Sequence, residues 1–329
     1  MFLELFGVIG KLPQTGVEVK NKLYRSIYRI AGWFFLLALS FPAWAQQNPA
    51  MELVLLGTGY PYPSAERAGP SCAVIVGDSV FVVDAGRGAV MRLAAAEISW
   101  SSVKSVFITH LHSDHIVGLP DLFHSTWQFG SGMPFQLYGP EGIEKVADGI
   151  LQFYDADIHI RRDLTEKLPP RGAEINIHIV RDGMVYNLSD SVRITAFAVN
   201  HHPVEPAFGY RFDVGPSSIV ITGDMRPNAN LDRFAEGADI LVHEAYVRGN
   251  APVENDGSHP WTIYDYHSSA REAGRAAEKA KAKILVLTHL IPGNAPEQYF
   301  LDEARETFHG KINVGRDLMR IPVPSSMNQ

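Results

Sequence analysis

The 329-residue sequence contains a single cysteine, Cys72, and no low-complexity tract. One cysteine excludes an intrachain disulfide. Because Cys72 lies within an apolar run, we expect it to be a small buried hydrophobic residue rather than a nucleophile. With 46% hydrophobic and 20% charged residues, a chain of this length can bury a sizeable core without covalent crosslinks.

Long apolar runs are also scarce. The run "IAGWFFLLALSF" follows a basic stretch that contains Lys20 and Arg29, and it is shorter than the roughly 20 residues of a membrane-spanning helix. The small residues of "AWA", which end at Ala45, then match a signal peptidase site. We therefore expect residues 1–45 to be a signal peptide that is removed, and the protein to be periplasmic or secreted. An uncleaved membrane anchor is the alternative interpretation of this segment.

Positive charge is limited in the remaining chain. Residues 1–45 carry a net charge of +3, so their removal changes the formal net charge from −7 to −10. An acidic protein is poorly suited to hold a large polyanion, and nucleic acid is therefore an unexpected partner. The segment "GTGYPYPSAERAG", residues 57–69, lacks the Lys and Ser/Thr pair of a phosphate-binding loop. We expect it to form a loop at the edge of a substrate site instead.

Short β-rich runs recur along residues 46–329. An early series is followed by a later one: "MELVLLGTG", "CAVIVG", "SVFVVDAG", "VKSVFITH", "INIHIV", "GMVYNLS", "VRITAFAVN", "FGYRFDVG", "SSIVITGD" and "KILVLTH". Helical patterns lie at about 88–97, after His115, and at about 266–281. Two sheets that face each other with helices outside would bury this much apolar strand. The sequence thus predicts one α/β domain over residues 46–329, with a candidate insertion at about 141–180.

Residues that can ligate metal ions stand where apolar strands end. Five runs finish in this way, at His110 in "FITH", His201 in "AVNH", Asp224 in "VITGD", His243 in "ILVHE" and His289 in "LVLTH". A single histidine of this kind is usually a core residue bonded to a backbone carbonyl. Five repetitions at the same structural place instead favour a metal site.

The segment "FITHLHSDHIVGLPDL" crowds these residue types most densely. His110 and His112 are two apart, so in an extended segment they project to one side and can bind one ion. Asp114 and His115 begin the next turn and can bind a second ion. A carboxylate can bridge two ions because each oxygen takes one, and Asp224 is the best candidate. His201 would complete the first site and His289 the second.

The motif "THLHSDH" resembles the H-x-H-x-D-H signature of the metallo-β-lactamase superfamily. The segments "GTG", "VVDAG", "NHHPVEPAFGYR", "TGD", "HEA", "HSS" and "LTH" resemble those of its ribonuclease Z and arylsulfatase-like branch. This resemblance spans about 52–290 and implies a four-layer αββα sandwich with two mixed β-sheets. It also implies two ligand sets: His110, His112, His201 and Asp224 for one ion, and Asp114, His115, Asp224 and His289 for the other.

Further roles are implied by the same resemblance. His201 is preferred as the ligand in "NHHPV", although a shifted alignment would choose His202. His267 in "HSS" stands where ribonuclease Z-like enzymes have a histidine that protonates or orients the leaving group. His243 and Glu244 in "HEA" would contact the ligating side chains and fix their orientation.

These features predict an exported hydrolase with two zinc ions, although manganese or iron would suit the same ligands. The ions would activate a shared water, Asp114 would orient it or take its proton, and His267 would protonate the leaving group. The expected substrate is a small ester of the aryl sulfate or phosphodiester type. The alternatives are a ribonuclease Z-like endonuclease, a lactonase and a non-catalytic metal-binding protein. The aspartate of "TGD" disfavours a true β-lactamase, and a homodimer is compatible with the sequence.

Overall fold

The computed structural model describes residues 51–187, 192–248 and 262–323. The apolar runs of these ranges form strands with the following bounds: β1 Met51–Gly57, β2 Ser71–Val76, β3 Ser79–Val83, β4 Val103–Phe107, β5 Phe135–Gly139, β6 Ile175–Ile179, β7 Val185–Asn187, β8 Arg193–Ala198, β9 Phe208–Val214, β10 Ser217–Ile221, β11 Ile240–Tyr246, β12 Ile284–Ile291, β13 Lys311–Val314 and β14 Arg320–Pro322. The sequence patterns did not indicate β5, β13 or β14.

The α-helices of the same ranges are α1 Ala89–Ala95, α2 Ser113–Ile116, α3 Leu119–Phe129, α4 Ile143–Phe153, α5 Asp155–His159, α6 Ala229–Phe234, α7 Ala270–Ala280 and α8 Glu297–Arg305. The helical pattern expected from residue 266 begins only at Ala270. Ser269 is the reason, because its hydroxyl accepts the backbone N–H of Glu272, whose carboxylate accepts the N–H of Ser269. This reciprocal capping box fixes the helix start. None of the helices in the described ranges has the length and hydropathy to cross a membrane.

Two mixed sheets have matching topologies. The first has the strand order β14-β1-β2-β3-β4-β5-β6, and the second has the order β13-β12-β11-β10-β9-β8-β7. Strands β3 to β6 are parallel to one another, and so are strands β10 to β13. Parallel neighbours end at the same sheet edge, so the loops after β3 and β4 lie together, as do those after β10, β11 and β12.

The strands are buried on both faces. In β1, Leu53 and Leu55 belong to the core between the two sheets, whereas Val54 and Leu56 belong to the core under the helices of the first sheet. This alternation is the two-residue period of a strand. A third core joins the outer face of the second sheet to its helices. The predicted four-layer αββα sandwich is therefore confirmed.

Cys72 lies on β2 in the core between the sheets and is 4% exposed. Burial raises the pKa of its thiol, and the nearby Asp84 raises it further. A neutral thiol enclosed in this way acts as a hydrophobic residue, as the sequence predicted.

The candidate insertion at 141–180 is largely helical. It contains α4, α5, a π-helical turn at Ile160–Leu164 and a 3₁₀ turn at Pro170–Ala173, and it ends in β6. The indole N–H of Trp127 on α3 donates to the carbonyl of Pro169, which ties the segment to the domain. The predicted signal peptide and its cleavage after Ala45 lie outside the described residues.

Candidate metal centre

The crowded histidine segment spans the turn from β4 into α2. His110 and His112 precede the helix, while Asp114 and His115 lie on its first turn. His110, Asp114 and His115 are all buried. The chain changes from extended to helical after His112, which separates the two pairs of side chains.

The first expected ligand set is brought together by the fold. His112 Nδ1 lies 3.0 Å from His110 Nε2 and 3.3 Å from His201 Nε2. Together with Asp224, these three histidines offer ligand atoms that all lie within 4.8 Å of one another. His201 is fully buried, whereas His202 is exposed and lies against Glu205. The structure thus places His201 in the cluster and His202 outside it.

Asp224 joins this set to the second one. Its Oδ2 atom lies 3.7 Å from His110 Nε2 and 3.9 Å from His201 Nε2. The same oxygen lies 3.2 Å from His115 Nε2 and 3.3 Å from His289 Nε2. A carboxylate between two pairs of imidazoles is the arrangement that a bridging ligand requires.

The second set contains Asp114, His115 and His289, which also form a compact group. His289 Nε2 lies 3.3 Å from Asp114 Oδ2. A β-bulge aims His289 into the site, because Glu244 and Ala245 of β11 pair with Thr288 and Leu290 and leave His289 as the extra residue. Its φ of 45° is uncommon for a residue with a Cβ, and such conformations cluster at functional sites.

Most of the imidazoles have a partner at Nδ1, and in these rings Nδ1 faces away from the other ligands. The Nδ1–H of His115 donates to Asp84 Oδ2 at 2.8 Å, and that of His201 donates to the carbonyl of Tyr266 at 3.0 Å. Thr109 Oγ1 lies 3.0 Å from His110 Nδ1. Such partners fix ring orientation and leave the other nitrogen for a metal ion.

Sequence reasoning missed Asp84. It follows β3 in "VVDAG" just as His110 follows β4, so the same strand-end pattern would have indicated it. Its carboxylate accepts the backbone N–H of Thr109 at 2.8 Å as well as the imidazole of His115. Asp84 therefore fixes both the loop that carries the first ligands and one ligand of the second set.

Replacing Asp84 with asparagine should weaken metal binding at the second set by about 10- to 100-fold, since partners of ligating histidines typically contribute this much. A zinc titration against a competing chelator measures the change. The exposed Asp78, in the turn between β2 and β3, provides an Asp-to-Asn control. Unaltered affinity of D84N at both sites would contradict this role for Asp84.

His267 and Glu244 form a buried pair beside the ligands. Glu244 accepts a hydrogen bond from His267 Nδ1, and its other oxygen accepts the backbone N–H of Met225. The His267 ring lies 5.2 Å from that of His289. Glu244 and His267 also lie close enough to Asp224 and His289 to form a third group of ligand atoms. His243 joins none of these groups, and its Nδ1 lies against the carbonyl of Glu244.

The electrostatics of the site favour metal binding. Burial lowers the pKa of His110 well below its usual value and that of His201 to about 4, so both imidazoles are neutral, as ligands must be. Burial would lower the pKa of His115 too, but the carboxylates of Asp224 and Asp84 raise it well above the usual range. Burial would raise the pKa of Asp224, yet His289 and His115 hold it well below its usual value. The centre of the site therefore attracts positive charge.

Buried polar atoms without a hydrogen-bond partner also indicate a metal site. Within the described residues, His115 Nε2, His289 Nδ1 and Asp224 Oδ1 are buried without a hydrogen-bond partner. An unpaired buried polar atom is costly. His115 and Asp224 belong to the ligand groups, so an ion bound there would remove that cost for their atoms. The residues present therefore fit a pair of metal ions with nitrogen and carboxylate ligands.

Comparisons with known proteins agree with this arrangement. Residues 80–290 match the family model of the beta-lactamase superfamily domain. A protein named ribonuclease Z from Mycobacterium sp. is 38% identical over 281 residues, which cover 83% of this chain and 96% of that protein. A ribonuclease Z from Mycobacterium bovis is 37% identical over 282 residues, covering 83% of this chain and 98% of that protein.

Solved structures share the fold. The metallo-beta-lactamase fold protein YhfI from Bacillus subtilis has a TM-score of 0.65 at 23% identity, with 83% of this chain and 99% of that chain covered. The short form of human tRNase Z has a TM-score of 0.62 at 24% identity, with 83% and 100% covered. The chain belongs to the metallo-β-lactamase superfamily, in the branch that includes the ribonuclease Z proteins, and is a metal-dependent hydrolase of ester or phosphodiester bonds.

Proposed function

We propose that this protein is a dinuclear metal phosphodiesterase of the ribonuclease Z type that cleaves phosphodiester bonds in RNA. The observation that carries the proposal is the position of Asp224, whose Oδ2 lies within 4 Å of imidazoles from both ligand sets. Two-metal sites of this kind are suited to an in-line displacement at the phosphorus of a phosphodiester.

Relatives support the RNA substrate. Ribonuclease Z proteins match 83% of this chain at up to 38% identity, and they favour the ribonuclease Z-like alternative over the aryl sulfate interpretation. They also argue against the expectation, for which the acidic net charge was one reason, that nucleic acid is not a partner. Net charge does not report how charge is distributed around a site.

The residues of the site have separate roles in the proposed hydrolysis. Two zinc ions held by His110, His112, His201, Asp224, Asp114, His115 and His289 would, when bound, acidify water and neutralise charge on the phosphate. The Asp114 carboxylate, which is 6% exposed, orients the attacking water and takes its proton. As an imidazolium, His267 donates its Nδ1–H to Glu244 and transfers the proton of its other nitrogen to the leaving oxygen.

Arg226 supports an anionic substrate. It follows Asp224 by two residues and pairs by a β-bridge with Asn200, the neighbour of His201. Its buried Nε has no acceptor within the part of the chain that the structure describes. Hydrogen bonds with Thr262 lower the pKa of Asp265, and Arg248 and Arg226 lower it further, so the Arg226 guanidinium lies near the segment that precedes His267. A guanidinium there can bind a phosphate oxygen through its terminal N–H groups.

Replacing Arg226 with alanine should lower kcat/KM for a phosphodiester by about 10- to 100-fold, the typical effect of losing a hydrogen bond to a charged group. Hydrolysis of an uncharged ester should change much less, because that substrate offers no anionic oxygen. Arg226→Lys should retain part of the activity, and the exposed Arg193 provides an alanine control. Equal losses on both substrates would contradict the assignment of Arg226 to the phosphate.

A substrate panel tests the proposed function. Purified chain loaded with zinc is assayed on a 3′-extended tRNA, bis(p-nitrophenyl) phosphate, p-nitrophenyl sulfate, a lactone and a β-lactam. We expect the two phosphodiesters to be hydrolysed and the others to react slowly if at all. Faster hydrolysis of the sulfate ester or the lactone would overturn the proposal and leave the metal centre intact. Manganese and iron loading of the same sample identifies the metal that supports turnover.

Export is a further proposal, since the basic and apolar pattern of residues 1–45 supports it. Mass spectrometry of the protein isolated from a host cell's periplasm should give a chain that starts at Gln46. Recovery of the intact chain from the cytoplasm alone would contradict export. The result is independent of the reaction catalysed.

A further inference from the structure

A cleft of about 570 Å³ has a lining that includes Tyr60, Tyr62, Glu66, Arg67, Gly293 and Asn294. Two loops form it, one after β1 and one after β12. They are joined by the N–H of Leu290, which donates to the carbonyl of Thr58 at 3.0 Å. The loop after β12 begins three residues after His289, so one wall of the cleft is continuous with the strand that carries a residue of the second ligand set.

Aromatic side chains line one side of this cleft. The rings of Tyr60 and Tyr62 are nearly parallel, with an angle of 23° and centroids 6.3 Å apart. Tyr62 is 70% exposed, so a face of its ring is open to a ligand. Burial raises the pKa of Tyr60, and Tyr62 and Tyr264 raise it further. Tyr264 belongs to the segment that leads into His267, so this segment passes near the aromatic side of the cleft.

Hydrogen bonds hold both loops of the cleft. The Arg67 guanidinium donates to Thr58 Oγ1 and the carbonyl of Gly315, both at 2.7 Å, and to the carbonyl of Gly293 at 3.0 Å. The Asp317 carboxylate accepts the backbone N–H groups of Thr58 and Ala68, at either end of the loop. Because these bonds already hold both loops, a ligand that binds here loses little free energy in ordering them.

The charged side chains of the cleft determine which class of ligand it can bind. Arg67 is committed to its hydrogen bonds and to Glu297 at 3.6 Å, so it is a poor phosphate ligand. The exposed Glu66 carboxylate repels anions. Two ring faces remain, together with the Asn294 amide, which can both donate and accept hydrogen bonds. This combination suits a flat, uncharged ring with polar edges.

We propose that the Tyr60 and Tyr62 cleft binds, by stacking, the base of a nucleotide next to the scissile phosphodiester. The inference rests on the proposed phosphodiesterase function and specifies its substrate as one recognised through a base rather than through a chain of phosphates. Bases stack on aromatic side chains with little dependence on sequence. The base can belong to the end of an RNA or to a free dinucleotide.

Two diesters with the same leaving group test this inference: the p-nitrophenyl ester of thymidine 5′-monophosphate, and methyl p-nitrophenyl phosphate, which has no base. Tyr60→Ala and Tyr62→Ala should each lower kcat/KM for the nucleotide by about 10- to 100-fold, mainly through KM. Neither should alter hydrolysis of the methyl ester or the bound zinc. Tyr62→Phe keeps the ring and should retain activity. Phe153→Ala removes an exposed aromatic ring outside the cleft and serves as the control.

The outcomes separate the two proposals. Equal loss on both diesters, or no loss on either, overturns base stacking and leaves the phosphodiesterase function standing. A zinc-loaded wild-type protein that hydrolyses neither diester overturns the proposed function itself. The same variants are then assayed on a dinucleotide and on a 3′-extended tRNA. Loss on the dinucleotide alone identifies small nucleotides as the ligand, whereas loss on both places an RNA end in the cleft.

Discussion

Replacing Asp224 with alanine should reduce bound zinc from two equivalents per chain to fewer than one and lower kcat/KM by about 10⁴-fold or more. The reason is geometric, because Asp224 Oδ2 is the one carboxylate oxygen that lies within 4 Å of His110, His115, His201 and His289 among the described residues. Without it, imidazoles from two sets face each other with no negative charge between them. Elemental analysis of the purified variant, together with phosphodiester kinetics, measures both losses.

Two further variants make the Asp224 result specific. Asp224→Asn keeps the shape of the side chain and removes its charge, so it should bind metal more weakly than the wild type while retaining the fold. Asp78→Ala removes an exposed carboxylate from a turn and should change neither metal content nor rate. An Asp224→Ala protein with two bound zinc ions and full activity would contradict the bridging role.

Replacing His267 with alanine should lower kcat by about 10²- to 10⁴-fold on a substrate whose leaving group is a nucleoside, the range for a general acid. An alkoxide is a poor leaving group and needs a proton, whereas p-nitrophenolate leaves readily without one. The loss should therefore be much smaller on bis(p-nitrophenyl) phosphate. Metal content should stay at two equivalents, because His267 Nδ1 is occupied by Glu244.

This prediction distinguishes a proton donor from a ligand. His267 lies close enough to Asp224, Glu244 and His289 to help bind an ion. If His267→Ala loses zinc and its rate falls equally for both leaving groups, then His267 is a ligand and the proposed donor role is wrong. Glu244→Gln should give a milder loss with the same leaving-group dependence, since it only positions the imidazole.

Much of the fold and the ligand set could be predicted because both are determined by short patterns of neighbouring residues. The apolar runs that end in His110, Asp224 and His289 are strands, and parallel strands bring their carboxyl ends to one edge. The "THLHSDH" spacing separates two pairs of ligands at the start of α2. These features depend on neighbours in sequence, so the chain alone reveals them.

Other features depend on contacts between distant segments. The bulge that aims His289 exists because β11 and β12 pair out of register at Glu244, which no periodicity indicates. The pairing of Glu244 with His267 joins residues that lie 23 positions apart. The helix expected from residue 266 starts four residues later because Ser269 caps it. The Tyr60 and Tyr62 cleft needs the loop after β12 as its second wall.

The measurement that tests the central claim most directly is anomalous diffraction at the zinc edge from crystals of the metal-loaded protein. We predict two peaks per chain, about 3.5–4 Å apart as in other two-metal sites, with Asp224 between them. His110, His112 and His201 should surround one peak, and Asp114, His115 and His289 the other. A single peak, or two peaks elsewhere in a fully loaded crystal, would contradict the dinuclear centre.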